Sequence, residues 1–179
     1  MCLYLFLPAL KTHKPQLSTI EAAEAELVFP HFTADDAWTL GLAIRENLRR
    51  TSEKPVVIDI TLANNNQVLF HTATRSGTQP DNDIWVARKR KTVLRWGVSS
   101  YYMHEKMMGN EGKFRDKYAL GDRAGEYAIH GGGVPVKVKG VEGVVAVVVV
   151  SGLTQEEDHN AVVEQMSRLI QEMKSDTGR

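Results

Sequence analysis

The hydrophobic pattern is strongest near the C-terminus of the chain. Residues 144–150 (VVAVVVV) form an unbroken run of β-branched and small residues, which predicts a fully buried strand. The run ends at Ser151-Gly152, and the spacing of Thr154 and Glu157 is typical of a capping box at a helix start. Apolar residues then recur every three or four positions and predict the core-facing side of this helix: Val162, Val163, Met166, Leu169, Ile170 and Met173.

Similar patterns predict the other elements. Residues 55–62 and 67–74 are two strand-like runs separated by an asparagine-rich turn, which predicts a hairpin. Capping-box spacings predict helix starts at Ser18 and at Thr33. The second of these helices carries an apolar stripe of Ala37, Leu40, Ile44 and Leu48. A helix is predicted from Pro80 to Trp96 and a shorter one within 99–108, whereas 112–129 is predicted to be irregular. Helices before, between and after paired strands indicate an α+β protein with an antiparallel sheet.

His159 is the residue that the helix-start signal leaves unexplained. The acids Glu156, Glu157 and Asp158 suit the positive end of a helix. His159, however, precedes Val162 and Val163 by three and four residues and is therefore expected to point inward, beside the end of the strand. A neutral, inward histidine serves as a ligand, as a base, or as a core residue bonded to a carbonyl, and the sequence leaves these three alternatives open.

The basic run at 88–91 (RKRK) contains one residue in an apolar position. On a helix, Arg88, Lys91 and Arg95 share a polar side and predict a solvated face. Lys89 falls in the apolar stripe, where a lysine is costly unless its charge is paired. Its ammonium either extends to a helix or subunit edge or contacts an anion in a pocket.

The triple glycine in IHGGGVP (129–135) is a third candidate. Glycines at Gly131, Gly132 and Gly133 let backbone amides approach a ligand or form a nest for an anion, and they equally suit a turn before a strand. His130 precedes them, but neither His130 nor His159 belongs to a short zinc motif, so no metal site is predicted.

Composition narrows the class of protein. Lysine plus arginine (22) balance aspartate plus glutamate (22), which argues against a nucleic-acid-binding protein. The single Cys2 fits a reducing, cytoplasmic location, and no apolar run is long enough to span a membrane. Residues 1–17 are interpreted as an appendage or docking tail, and 18–179 as one domain.

Three segments together resemble one family: DNDIWVARKRKTVLRWGVSSYY, EYAIHGGGVPVKV and VVVVSGLTQEEDHNAVVE. From Ala22 to Met173 the chain is similar to the haem-degrading-domain (GlcG/HbpS-like) family, in its small cytosolic branch found in bacteria and fungi. The resemblance implies a profilin-like fold, a five-stranded antiparallel sheet flanked by helices, assembled into homo-oligomers. It implies haem as a possible cofactor, although no haem-attachment motif is present. The positions it carries over are Arg88, Lys89, His130, Gly131, Gly132, Asp158 and His159.

Three functions follow from these observations. In the first, the chain is a binding module for an anionic, largely apolar molecule such as a tetrapyrrole, held by Lys89 and by the glycine loop (Gly131–Gly133). Alternatively, it is an adaptor that contacts a protein partner without catalysis. As an enzyme it would use His130 and His159 for acid–base chemistry. Any site is expected where the strand ending at Gly152 meets the following helix, and His130, His159 and Lys89 are expected to line one cavity there.

Overall fold

The elements follow one another along the part of the chain that the computed structural model describes, residues 17–176. They are α1 (Leu17–Ala25), β1 (Val28–Phe29), α2 (Ala34–Thr51), β2 (Val57–Leu62), β3 (Val68–Ala73), α3 (Pro80–Trp96), α4 (Ser100–Met107), α5 (Glu111–Lys117), a 3-10 helix (Gly121–Glu126), β4 (Gly133–Val138), β5 (Ala146–Ser151) and α6 (Gln155–Asp176). The predicted appendage of residues 1–17 lies outside the described residues except for Leu17. None of the described helices is both long enough and apolar enough to cross a membrane.

Five strands form one sheet in the order β1-β4-β5-β2-β3, with β5 at its centre. The pairs β4–β5, β5–β2 and β2–β3 are antiparallel. The prediction of a five-stranded sheet flanked by helices is confirmed. It is wrong in one detail, because β1 pairs with β4 in parallel. This two-residue strand enters the edge directly from α1 and is not joined to β4 by a hairpin.

Both faces of the sheet are covered, which explains the unbroken apolar run in β5. Val147 and Val149 point to the face that packs against α3. Val148 and Val150 point to the opposite face and join the core formed with α2 and α6. A strand buried on both faces has no solvent side and therefore loses the alternation of polar and apolar residues.

The capping signals at two helix starts are confirmed. The Thr33 hydroxyl accepts from the Asp36 N–H, while the Asp36 carboxylate accepts from the Thr33 N–H at 2.7 Å. At α6 the Glu157 carboxylate accepts from the Thr154 N–H at 3.0 Å, and the Thr154 hydroxyl accepts from the Glu157 N–H at 3.3 Å. These reciprocal bonds fix where α6 begins, and hence which of its residues face the sheet.

The segment 112–129 is not irregular, and this prediction is wrong. It contains α5 and the 3-10 helix, and it covers the end of α3. The Trp96 ring lies 5.1 Å from Phe114 and 5.2 Å from Tyr127, measured between ring centroids. Each helix in this segment is too short to show a hydrophobic period, and the segment is held by aromatic contacts to a distant element.

Candidate functional site

An open cavity of about 430 Å³ lies at one end of β5. It is bordered by the first turns of α3, the residue before the glycine loop, and the turn that links β5 to α6. The residues that line it are Gln79, Asp81, Asn82, Trp85, Lys89, His130, Ser151, Gly152, Leu153, Gln155 and Asp158. Lys89 and His130 therefore meet beside the end of β5 within one chain.

A buried ion pair forms the inner wall of the cavity. The Lys89 ammonium donates to an Asp158 carboxylate oxygen at 2.9 Å and to the Val150 carbonyl oxygen at 2.9 Å. The two residues are only 3% and 2% exposed. Burial lowers the pKa of Lys89 and raises the pKa of Asp158, and the attraction between the two charges opposes both shifts. Of the two alternatives for Lys89, extension to an edge is wrong, because its ammonium is held inside the protein.

Asp158 also closes the turn between β5 and α6. Its carboxylate accepts from the Leu153 N–H at 3.0 Å and from the Gly152 N–H at 3.4 Å. The carboxylate therefore sits against backbone donors at the start of a helix, a place that favours negative charge. The same side chain joins three parts of the fold, namely α3, the end of β5 and α6.

The glycine loop is required by close packing against this ion pair. Gly132 has φ +115°, and a Cβ built on it would lie 2.3 Å from the Val150 carbonyl oxygen and 2.9 Å from the Lys89 nitrogen. A Cβ on Gly131 would lie 2.1 Å from the Gln155 carbonyl oxygen. Neither glycine lines the cavity. The structure therefore explains these glycines by the contacts of the loop with β5 and α6.

His130 lies at the cavity wall and is half-buried. Its ring packs edge-on against Trp85 with 4.9 Å between centroids, and its Nδ1 is 3.5 Å from a Glu111 carboxylate oxygen. Burial lowers the pKa of His130, while Glu111 acts in the opposite direction. His130 is therefore a candidate ligand or hydrogen-bond partner for a molecule in the cavity.

His159 is buried, as its place on the helix predicts, but it does not line the cavity. Its ring lies 4.8 Å from that of Tyr101, and its Nε2 is 4.0 Å from a Glu24 carboxylate oxygen. Burial lowers its pKa to about 4. The expectation of one cavity lined by all three residues is therefore wrong for His159, which packs against α1 and α4.

The predicted solvated face of α3 holds for Arg95, which is exposed, whereas the segment around Tyr127 partly covers Arg88 and Lys91. The Arg88 guanidinium stacks on Trp85 at 4.4 Å and donates to the Tyr127 carbonyl oxygen at 3.2 Å. Lys91 pairs with Glu126, and Arg95 donates to the Tyr127 hydroxyl at 3.0 Å. Arg88 lines a separate cavity of about 110 Å³ and does not reach the Lys89 cavity.

Several residues of the cavity carry no signal in the sequence pattern. Trp85 appears there only as part of the apolar stripe, yet its ring forms a wall of the cavity and its N–H donates to Asp81 at 2.9 Å. Gln155 is the first residue of α6, and its amide nitrogen is 2.9 Å from His104 Nε2. In the described part of the chain, no three His, Cys, Asp or Glu residues are grouped so as to hold a metal ion.

Fold and cavity together define a small α+β protein whose five-stranded sheet bears helices on both faces and a pocket at the end of its central strand. The chain belongs to the family described as "Haem degrading protein HbpS-like", whose model matches residues 32–167. This places the Lys89 cavity within the family domain.

Named relatives agree with this membership. The UPF0303 protein SCO2848 of Streptomyces coelicolor is 48% identical over 158 residues, which are 88% of this chain and 96% of that protein. The Ybr137w protein of Saccharomyces cerevisiae has a crystal structure that matches this one with a TM-score of 0.81 and 39% identity. The match covers 89% of this chain and 90% of that one. The crystal structure of a PduOC:haem complex shares the fold, with a TM-score of 0.61 and 16% identity, covering 78% of this chain and 94% of that one.

Proposed function

We propose that this protein binds a small, largely apolar molecule in the Lys89 cavity. The observation that carries the proposal is the cavity itself, which is open, has a volume of about 430 Å³ and combines the apolar Trp85 and Leu153 side chains with polar and charged residues. Ligand sites in proteins have volumes of this size and bring polar atoms together around a bound molecule. The single cysteine of the sequence supports a cytoplasmic setting for this activity.

Haem, a tetrapyrrole, is the first ligand to test, because a structural neighbour of the same fold is a haem complex. The imidazole of His130 lines the cavity and would hold the haem iron there. The charge of the cavity is less suited to the carboxylates of haem. Among its lining residues Lys89 is the single lysine or arginine, and its ammonium is paired with Asp158. The carboxylates of a bound tetrapyrrole are therefore expected to face water at the open side. Bound haem would supply a redox-active iron, and His130 would hold it.

Titration of the apoprotein with haemin tests this ligand. We expect a shift of the Soret band on addition of the purified protein, weakened in His130→Ala. His31→Ala is the matched control, because that histidine side chain is 63% exposed and belongs to another part of the surface. A titration without a Soret shift would eliminate haem. An equal shift in all three proteins would eliminate His130 as its ligand.

A second candidate function, assembly into a homo-oligomer that acts as an adaptor, is favoured by exposed apolar residues on α2 and on the edge strand β3. Trp38 is 61% exposed, Leu42 is 41% exposed and Val68 of the edge strand β3 is 53% exposed. Unpaired edge strands and exposed apolar patches are common association surfaces. We propose a symmetric homo-oligomer, which could also present a surface to a protein partner.

Light scattering tests the assembly. The chain has a mass of 20.0 kDa, and a species of that mass at micromolar concentration would contradict the proposal. Val68→Lys is expected to dissociate the oligomer. Val141→Lys, which changes a residue that is 52% exposed in the turn before β5, is expected to leave it intact.

A further inference from the structure

Lys89 and Asp158 are the two buried ionisable groups in the wall of the cavity, and ligand binding alone gives them no chemical role. We propose that Lys89 is a nucleophile whose Nζ forms a protonated imine with the carbonyl carbon of a small, uncharged aldehyde or ketone. This inference rests on the proposed function in one respect, since the cavity must admit a small molecule.

The geometry supplies a fixed amine beside a proton acceptor. Lys89 Nζ is 2.9 Å from the Asp158 carboxylate and 2.9 Å from the Val150 carbonyl oxygen, and both Lys89 and Asp158 line the cavity. The absence of a side chain at Gly132 leaves the room in which the ammonium sits, because a Cβ there would lie 2.9 Å from Nζ. An ion pair that only stabilised the fold would not need to border an open cavity.

Formation of the imine needs only Lys89, Asp158 and the carbonyl compound. Asp158 first accepts a proton from the ammonium, which leaves a neutral amine and a carboxylic acid. The nitrogen lone pair then forms the N–C bond while the C=O π pair moves to oxygen, and a proton passes from nitrogen to that oxygen to give a carbinolamine. The nitrogen lone pair next forms the C=N bond, the C–O bond breaks, and the leaving oxygen takes the proton of Asp158 as water. The product is an iminium ion paired with the Asp158 carboxylate.

Burial favours the first step. Removing both groups from water lowers the pKa of Lys89 and raises the pKa of Asp158, so the proton is shared more evenly than between exposed groups. A lysine pKa that is lower by one raises the fraction of neutral amine about tenfold at neutral pH. A desolvated lysine next to an acid–base group is a recognised form of activated nucleophile.

The lining of the cavity defines the class of carbonyl compound. Trp85 and Leu153 provide apolar contact, whereas Asp81 and Asp158 place two carboxylates at the wall. A keto acid would bring a further negative charge towards these carboxylates. An uncharged aromatic or aliphatic aldehyde or ketone avoids that repulsion.

Reductive trapping with benzaldehyde and cyanoborohydride at neutral pH tests the inference on the full chain. Peptide mapping by mass spectrometry then compares benzylation of Lys89 with that of the exposed Lys113. We expect Lys89 to be labelled several times faster than Lys113, because burial lowers its pKa and leaves more of its amine neutral. In Lys89→Arg, total labelling should fall by one group, with Lys113 unaffected. Labelling of Lys89 at or below the rate of Lys113 would overturn the inference.

Benzyl alcohol, which has the same ring but forms no imine, separates this inference from the binding proposal. Its binding is followed by Trp fluorescence in the unmodified protein, with Trp85→Phe to identify the signal of the cavity. A signal from Trp85 together with slow labelling of Lys89 refutes only the imine, and the cavity remains a binding site. Fast labelling with a Trp85 signal supports both proposals. Slow labelling with no signal from Trp85 counts against both.

Discussion

Replacing His159 with glutamine should remove an acid-sensitive part of the stability of this protein. Burial lowers the pKa of His159 from 6.5 to about 4 in the folded chain. Between these two values the unfolded chain binds more protons than the folded chain, so stability decreases as the pH falls from 6.5 towards 4. Above pH 6.5 His159 is neutral in both the folded and the unfolded chain, so its titration costs no stability there. Because each pH unit within this window changes the free energy of unfolding by about 1.4 kcal/mol, the loss amounts to about 2 kcal/mol at pH 5 and about 3 kcal/mol by pH 4.

Urea unfolding at pH 7 and pH 5 measures this difference. Glu24, which faces His159, has a pKa raised by burial, so its protonation stabilises the folded state as the pH falls and acts in the opposite direction. Because Glu24 is present in both proteins, the comparison with His159→Gln isolates the histidine. The wild type should lose about 2 kcal/mol more than His159→Gln, and the control His31→Gln should follow the wild type. Equal losses in wild type and His159→Gln would show that His159 is not kept neutral by burial.

Two further predictions concern the packing around the ion pair. Gly132→Ala should destabilise by more than about 3 kcal/mol in thermal or urea unfolding, because of its positive φ and the contact with Val150. Gly140→Ala, with φ +77° and no atom within 4 Å of the added carbon, should cost about 1 kcal/mol, and equal effects would mean that the glycine loop can shift. Lys89→Met should cost about 3 kcal/mol and Asp158→Leu about 1–3 kcal/mol more, because the second change also leaves two backbone N–H groups without an acceptor. The double variant should cost less than the sum of the two changes in denaturant unfolding, and strict additivity would contradict a coupled pair.

The parts of the fold that could be predicted from sequence are those whose packing is periodic. The stripes of α2 and α6 and the run in β5 each repeat one burial pattern over many residues, so local sequence determines the face that is buried. The segment from α5 to Tyr127 has no such repeat. Its position depends on Trp96, Phe114 and Tyr127 meeting across the fold, and a local pattern carries no information on such contacts.

The candidate site shows the same division. Lys89 in an apolar stripe signals a buried charge, but its partner Asp158 is 69 residues away and is not identified by any spacing. The helical pattern correctly predicts that His159 points inward, yet successive helix residues are rotated by about 100°. Since Asp158 faces the cavity, His159 must face a different neighbour, which is α1 with Glu24. One helix wheel therefore predicts burial well and predicts the chemical surroundings poorly.

The groups near the start of α6 that could hold an anion are used within the protein itself. Backbone N–H groups at Gly152 and Leu153 bind the Asp158 carboxylate, which occupies the place an anionic ligand would take near the start of α6. The same carboxylate neutralises Lys89. A ligand carboxylate or phosphate would have to displace Asp158 from three donors while its own charge repelled that residue. An uncharged molecule meets no such competition, and it can contact Trp85 while leaving the ion pair intact. The cavity therefore selects for an uncharged reactive group at its inner wall, and tolerates negative charge only where the ligand reaches water.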